Sequence, residues 1–74
     1  MTLAQAKLAD EAARQEHRRI AREVHDVVAH SVSMMVVQAG GARRILDRDP
    51  TRAVAAAELI ERTGREALTE MRRL

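Results

Sequence analysis

The residues best suited to chemistry lie in one short stretch, where His25 is followed directly by Asp26 and, one helical turn later, by His30. If the stretch is helical, each residue turns by about 100°, so Asp26 and His30 share one side and His25 lies, partly exposed, on the shoulder of an apolar arc. A neutral imidazole nitrogen is a nucleophile near neutral pH, and an adjacent carboxylate can hold the proton of the other ring nitrogen. Phosphoryl transfer suits these groups, because it otherwise needs mainly positioning and charge stabilisation.

Other chemistries suit the same residues less well. A zinc site of the HExxH kind needs histidines at i and i+4, whereas His25 and His30 are at i and i+5 and diverge. Asp26 with His30 offers at most a weak metal site, so we predict no metal and no cofactor in this chain. A nucleophilic triad needs Ser or Cys at a strained turn, and these residues include no such group. The residue types and spacing alone leave open a plain surface histidine beside an aspartate on a helix.

The elements that must hold these residues are two helices, separated at the only proline. Asp49 is placed as an N-cap, with Pro50 at the first helical position, where its missing N–H costs nothing. We therefore predict a first helix to about 46, a loop at 47–50 and a second helix over about 51–74.

Apolar and small residues recur along both segments at helical spacing. The first seam of the first helix comprises Ile20, Val24, Val27, Ser31, Met34, Gln38, Gly41 and Ile45. A second seam beside it comprises Val28, Val32, Met35, Ala39, Ala42 and Leu46. The stripe of the second helix comprises Ala53, Ala57, Ile60, Gly64, Ala67, Met71 and Leu74. The small residues in this stripe indicate close approach of the two helices.

Two adjacent seams make an arc that is too wide for a two-stranded coiled coil and suits a helix packed on two neighbours. One hairpin cannot cover both seams, whereas two hairpins can. We therefore predict an all-α fold, an antiparallel two-helix hairpin that forms a homodimeric four-helix bundle. Gly40 and Gly41 are weak points in the first helix, costing about 1 kcal/mol each relative to Ala, and we interpret them as a close-packing site or a bend.

The composition also indicates a chain that needs a partner. Its 74 residues include no cysteine and no aromatic residue, so disulfides and large apolar anchors are excluded in a domain that is small already. Residues 1–19 carry a thin apolar stripe among many charges, which predicts an N-terminal helical linker or coiled-coil extension. The dimerisation and chemical functions are assigned to residues 20–74.

The charge pattern argues against nucleic acid as a partner. The net charge is +2, and acidic and basic residues are interleaved as on a solvated helical surface. The one basic cluster lies near the predicted loop and comprises Arg43, Arg44, Arg48 and Arg52, with Asp47 and Asp49 interspersed. A small DNA-binding helical protein is therefore a weaker alternative. No apolar run approaches the ~20 residues that span a membrane.

The run from Ile20 to Ser33, IAREVHDVVAHSVS, resembles the phosphoacceptor box of bacterial sensor histidine kinases, in the class that signals to NarL-type response regulators. The tail from Glu61 to Leu74 is similar to the second helix of the family's dimerisation and phosphoacceptor domain. The resemblance covers roughly residues 14–74.

This resemblance implies a role for each residue of the motif. His25 would accept the γ-phosphoryl group of ATP, and Asp26 would act as general base or orienting group. His30 stands where the family more often has Gln, so it is a candidate for positioning water in a phosphatase reaction. We interpret Arg22 and Glu23 as surface ion-pair residues. His17, which lies outside the motif, is interpreted as merely solvated.

The resemblance also implies partners. These are a second copy of the chain, the receiver domain of a response regulator and the ATP-binding catalytic domain of the same protein, with ATP and Mg²⁺ expected in the full-length kinase. The exposed flank near Ala29, Ser33 and Val36 is the expected receiver surface, although we favour Val36 as a core residue. The chain would be the cytoplasmic portion of a membrane-anchored kinase. The alternative is a purely structural dimerisation module without phosphotransfer.

Overall fold

Two long helices make up almost the whole chain. The computed structural model describes residues 1–74 and contains helix α1 (Leu3–Ile45) and helix α2 (Pro50–Arg72), with no strand. The helices pack side by side as an antiparallel hairpin with extents of 70 × 17 × 7 Å. The expected all-α helical hairpin is confirmed.

Each helix begins at a side-chain cap. The Thr2 hydroxyl accepts a hydrogen bond from the Gln5 backbone N–H at 3.1 Å, and the Gln5 side chain accepts one from the Thr2 N–H at 2.7 Å. At α2, the Asp49 carboxylate accepts a bond from the Arg52 N–H at 3.1 Å, with Pro50 at the first turn, which confirms the predicted cap. Such caps contribute about 1 kcal/mol each by pairing N–H groups that have no helical partner.

The connection between the helices is short and hydrogen-bonded. The Ile45 carbonyl accepts bonds from the backbone N–H groups of Arg48 at 3.0 Å and Asp49 at 2.7 Å. The guanidinium of Arg48 also donates to the Arg44 carbonyl at 3.2 Å. The last carbonyls of α1 are thus paired without a glycine, and the chain reverses within a few residues.

The first seam of α1 faces α2, as predicted. Its residues from Ile20 to Ile45 are largely half-buried, with the exception of Met34, whose exposed fraction is 41%. Met35, from the second seam, contacts α2 instead. Its terminal carbon lies 3.7 Å from the position that a Cβ would occupy on Gly64, which is an ordinary contact distance. On α2 the predicted small residues Ala53 and Ala67 are buried, whereas Ala57 is exposed.

A polar pair lies within this otherwise apolar seam. The Thr63 hydroxyl oxygen lies 3.4 Å from both the amide nitrogen and the amide oxygen of Gln38, so it can accept from the first and donate to the second. Thr63 is 8% exposed, and every buried polar side-chain atom in the hairpin has a partner. Thr63 was not foreseen as an interface residue.

Most of the second seam of α1 remains open to solvent, although Met35 and Ala42 are half-buried. Val28, Val32 and Leu46 are 40%, 51% and 56% exposed, and Val54 on α2 is 58% exposed. At the loop end a shallow apolar groove joins the two helices on this side and is lined by Ala42, Arg43, Leu46, Ala53, Val54 and Ala57. We call the surface formed by Val28, Val32, Leu46 and Val54, together with this groove, the open apolar face.

The two adjacent glycines do not act as a close-packing site within the hairpin. Helix α1 continues through Gly40 and Gly41 without interruption. A Cβ added at either residue would meet nothing within 4 Å. Neither glycine is therefore required by the contact between α1 and α2.

Replacing Thr63 by Val is expected to destabilise the chain by about 1 kcal/mol, because the Gln38 amide would lose its partner inside the seam. Thermal or denaturant unfolding followed by circular dichroism measures this. Thr69→Val is the matched control, since Thr69 is an exposed threonine on the same helix, and its effect should stay within about 0.5 kcal/mol. Adding Gln38→Leu should recover stability; equal effects of Thr63→Val and Thr69→Val would contradict a role for the pair.

Candidate functional site

The three candidate residues all lie on α1 with exposed side chains. His25, Asp26 and His30 are solvent-accessible, while their neighbours Val24 and Val27 are half-buried against α2. At about 100° per residue, His25 lies beside the open apolar face, whereas Asp26 and His30 lie on the opposite shoulder of the helix. The structure therefore leaves the imidazole of His25 free to meet another molecule and does not gather the three side chains into one pocket.

His25 lies at the open end of the hairpin. Because the helices are antiparallel, residues are matched by counting outward from the Gln38–Thr63 contact. Leu74, eleven residues after Thr63, is level with Val27, eleven residues before Gln38 on α1. The part of α1 before Val27 extends beyond the end of the chain on the other side of the hairpin, and its residues 3–19 are exposed throughout. His25 therefore lies near the point on α1 where the part that packs against α2 ends and the unpaired N-terminal part begins.

An arginine just before the site is held by two carboxylates. The Arg19 guanidinium donates to Glu16 through Nε at 3.0 Å and through a terminal nitrogen, and its other terminal nitrogen donates to Glu23. The hydrogen bond from Arg19 lowers the pKa of Glu16 below its usual range, and the two carboxylates raise the pKa of Arg19. The prediction that Glu23 forms an ion pair is thus confirmed.

The same prediction was wrong for Arg22. Ion pairs within 4.0 Å are formed by Arg14, Arg19, Arg52 and Arg65, and neither Arg18 nor Arg22 is among them. The carboxylate at helical spacing from Arg22 is Asp26, at i+4, and the two side chains form no ion pair within 4.0 Å. Arg22 therefore keeps an unpaired guanidinium on an exposed surface.

The flank expected to receive a partner is exposed. Ala29 and Ser33 are solvent-accessible, and the Ser33 hydroxyl donates to the Ala29 carbonyl at 2.7 Å within the helix. Val36 is 65% exposed, so the expectation that it belongs to the core was wrong within the hairpin. It lies about 160° from Gln38 around α1, which faces α2.

Two further properties describe the surface around the site. The chain has no group of three or more His, Cys, Asp or Glu side chains arranged to hold a metal ion. Neither helix has a stretch long and apolar enough to cross a membrane.

An exposed His–Asp pair on the longer helix of an antiparallel hairpin thus defines the site. A family model described as histidine kinase matches residues 16–74, which include all of α2, the part of α1 that pairs with it and all three candidate residues. The chain therefore belongs to the histidine kinase family. The resemblance found in the sequence, to sensor histidine kinases of the class paired with NarL-type regulators, is confirmed.

Three sensor histidine kinases of Bacillus subtilis (strain 168) are similar to the chain. DesK is 30% identical over 60 residues, 81% of this chain, and YvfT is 34% identical over 61 residues, 82% of this chain. LnrJ is 37% identical over 57 residues, 77% of this chain. The chain spans only 14–16% of the length of these relatives. No solved structure matches it.

The ion pairs of Arg19 with Glu16 and Glu23 were not predicted from the sequence, although the spacing of these residues indicates them. Glu16, Arg19 and Glu23 have the i, i+3 and i, i+4 spacing at which opposite charges meet on a helix. The same spacing also connects Arg22 with Asp26, a pair that does not form within 4.0 Å. Spacing therefore identifies the candidate ion pairs but does not decide which of them form.

Replacing Arg19 by Ala is expected to return the pKa of Glu16 to its usual range, because the hydrogen bond from Arg19 is the main cause of the shift. NMR titration of the Glu16 carboxyl carbon measures this. Since the folded-state pKa is lowered, the stabilisation from the pair is present at neutral pH and is lost as the pH falls through that pKa. Arg14→Ala, which frees Asp10 instead, is the matched control; a Glu16 titration that responds equally to both variants would contradict this assignment.

Proposed function

We propose that the chain is the phosphoacceptor and dimerisation module of a sensor histidine kinase and that His25 carries the phosphoryl group. The single observation that carries this proposal is the exposed His25–Asp26 pair on α1, inside the region matched by the histidine kinase family. The similar proteins are sensor histidine kinases, which supports kinase activity in the parent protein.

The chemistry follows from the two side chains. An imidazole nitrogen of His25 attacks the γ-phosphorus of ATP; the new N–P bond forms as the bond from the γ-phosphorus to the bridging oxygen breaks, and ADP leaves. The proton on the other ring nitrogen is held or accepted by Asp26, which keeps the attacking nitrogen unprotonated. The phosphoryl group then passes to an aspartate of a response-regulator receiver domain, which regenerates the free imidazole.

The nucleotide reaches His25 from outside the hairpin. ATP and Mg²⁺ would be held by the separate ATP-binding domain of the parent protein, which supplies the phosphodonor and its charge neutralisation. The position of His25 at the open end suits this arrangement, because the part of α1 that precedes it extends beyond α2 and is exposed throughout residues 3–19. His30, on the other shoulder of the helix, would position water when a phosphorylated regulator is docked along Ala29, Ser33 and Val36.

The open apolar face is the proposed site of the second copy. The hairpin buries only three residues, too few for a stable domain of this size. Val28, Val32 and Leu46 from α1 and Val54 from α2 lie on the same side of the hairpin, so one face can be covered by its equivalent in a twofold dimer. Residues 1–19 would continue as the helical linker to an upstream sensor.

Replacing His25 by Gln is expected to abolish phosphorylation, because Gln has no nucleophilic ring nitrogen. The measurement is transfer of label from γ-labelled ATP to the chain, with the kinase's ATP-binding domain added. The product should be acid-labile and base-stable, and the control His17→Gln should keep the label, since His17 is an exposed histidine outside the Ile20–Ser33 run. If the unmodified chain is dimeric but takes no label, while the same ATP-binding domain labels a control substrate, the proposal fails. The chain would then be a purely structural dimerisation module.

Replacing Val32 by Glu is expected to weaken the dimer by at least about a hundredfold, because a carboxylate would be buried without a partner at the twofold contact. Sedimentation equilibrium measures the dissociation constant. Val37→Glu is the matched control: Val37 is 74% exposed on the opposite side of α1, so its replacement should leave association unchanged. A dimer insensitive to Val32→Glu would place the second copy on another face.

A further inference from the structure

Four arginines precede His25 on α1, and the structure divides them into two groups. Arg14 and Arg19 are held by carboxylates, whereas Arg18 and Arg22 have none within 4.0 Å. Freeing Arg19 for another anion would require breaking its bonds to two glutamates. Arg22 can bind an anion without losing an ion pair.

The helix places Arg22 next to the proposed phosphoacceptor. Arg22 stands at i−3 from His25 and i−4 from Asp26, positions at which Cβ atoms are about 5–6 Å apart. At about 100° per residue, it lies between the two side chains around the helix, about 60° from His25 and about 40° from Asp26. Helical side chains lean toward the N-terminus, so the imidazole of His25 leans toward the turn that carries Arg22.

Arg19 lies in a different direction. It is about 120° from His25 around α1, on the side of Glu16 and Glu23, to which it is bonded. Arg18 shares the sector of His25 but stands two turns before it. The residue whose charge is both unpaired and within one turn of His25 is therefore Arg22.

We propose that Arg22 binds the phosphoryl group on His25, both as it arrives from ATP and while it remains on the imidazole. This inference rests on the proposed function. The phosphoryl group carries its charge on three oxygens, and the planar guanidinium can donate two parallel hydrogen bonds to two of them. Asp26 accepts the imidazole proton, so the carboxylate acts on a ring nitrogen while the guanidinium acts on the phosphoryl oxygens.

The rate of label transfer from ATP provides the first test. Arg22→Ala should lower the initial rate about tenfold, less than the loss at a buried anion site, because the surface here is solvated. Arg22→Lys should recover part of the rate, since it keeps the charge and loses the two-pronged geometry. Arg19→Ala, the matched control, should leave the rate within about twofold; equal losses for Arg19→Ala and Arg22→Ala would overturn the assignment.

A second test does not depend on the ATP-binding domain. The chain is phosphorylated chemically with phosphoramidate, in a background with His17→Gln and His30→Gln, and the phosphoryl group on His25 is titrated by ³¹P NMR. A nearby guanidinium favours the dianion, so Arg22→Ala should raise the pKa of the phosphoryl group by about half a unit, while Arg19→Ala should not move it.

The two tests separate the two proposals. If the unmodified chain takes no label from ATP, the proposed function fails, and the titration still decides whether Arg22 contacts the phosphoryl group. If the unmodified chain is labelled and Arg22→Ala changes neither the rate nor the titration, the function stands and the role of Arg22 is refuted.

Discussion

A single hairpin can cover only one of the two apolar seams of α1, and the rest of the arrangement depends on this constraint. The seam facing α2 is filled by small residues such as Ala53 and Ala67, which bring the helices together but bury little area. Because apolar burial contributes roughly 25 cal/mol per Å², so thin a contact contributes little stability. The valines of the other seam remain exposed, and covering them would supply the missing burial. Stability and the proposed association would thus be two consequences of one apolar arc.

The same constraint fixes where chemistry can take place. With one side of α1 turned to α2 and the adjacent side open for a second copy, the remaining sector is the one that carries His25 and Asp26. An imidazole there is not desolvated, so it needs no burial to act and can be reached by a large partner. Exposure weakens the electrostatic interactions of the site with nearby charged groups, because water screens charges at the surface. A site of this kind gains from charged side chains supplied by its own helix and from groups that arrive with the partner.

Much of this could be predicted from the sequence, because it follows from local rules. Asp49 and Pro50 determine the start of α2, and the spacing of the first seam determines which side of α1 faces it. Packing details could not be predicted. Adjacent methionines lie 100° apart on the helix, and the apolar spacing does not tell that Met35 rather than Met34 lies against Gly64. Thr63 escaped notice because a polar residue in an apolar stripe is evident only when Gln38 is seen opposite it. Likewise, spacing allows Arg19 to pair with Glu16 and Glu23 and Arg22 to pair with Asp26, and the structure forms the first two pairs and not the third.

The functions assigned to α1 occupy separate sectors of one cylinder, and this separation has a mechanistic consequence. Gln38 faces α2, Val32 faces the proposed second copy, and His25 lies just beyond Val32 in the direction of Arg22. Substitutions in one sector leave side chains in the others in place, because a helix transmits little through its own backbone hydrogen bonds. A movement of the whole helix, however, displaces every sector together. In the proposed dimer, rotation of α1 about its axis would turn His25 toward or away from the second copy while exchanging valines at the open apolar face. The packing of those valines and the accessibility of His25 would then be coupled by rigid geometry.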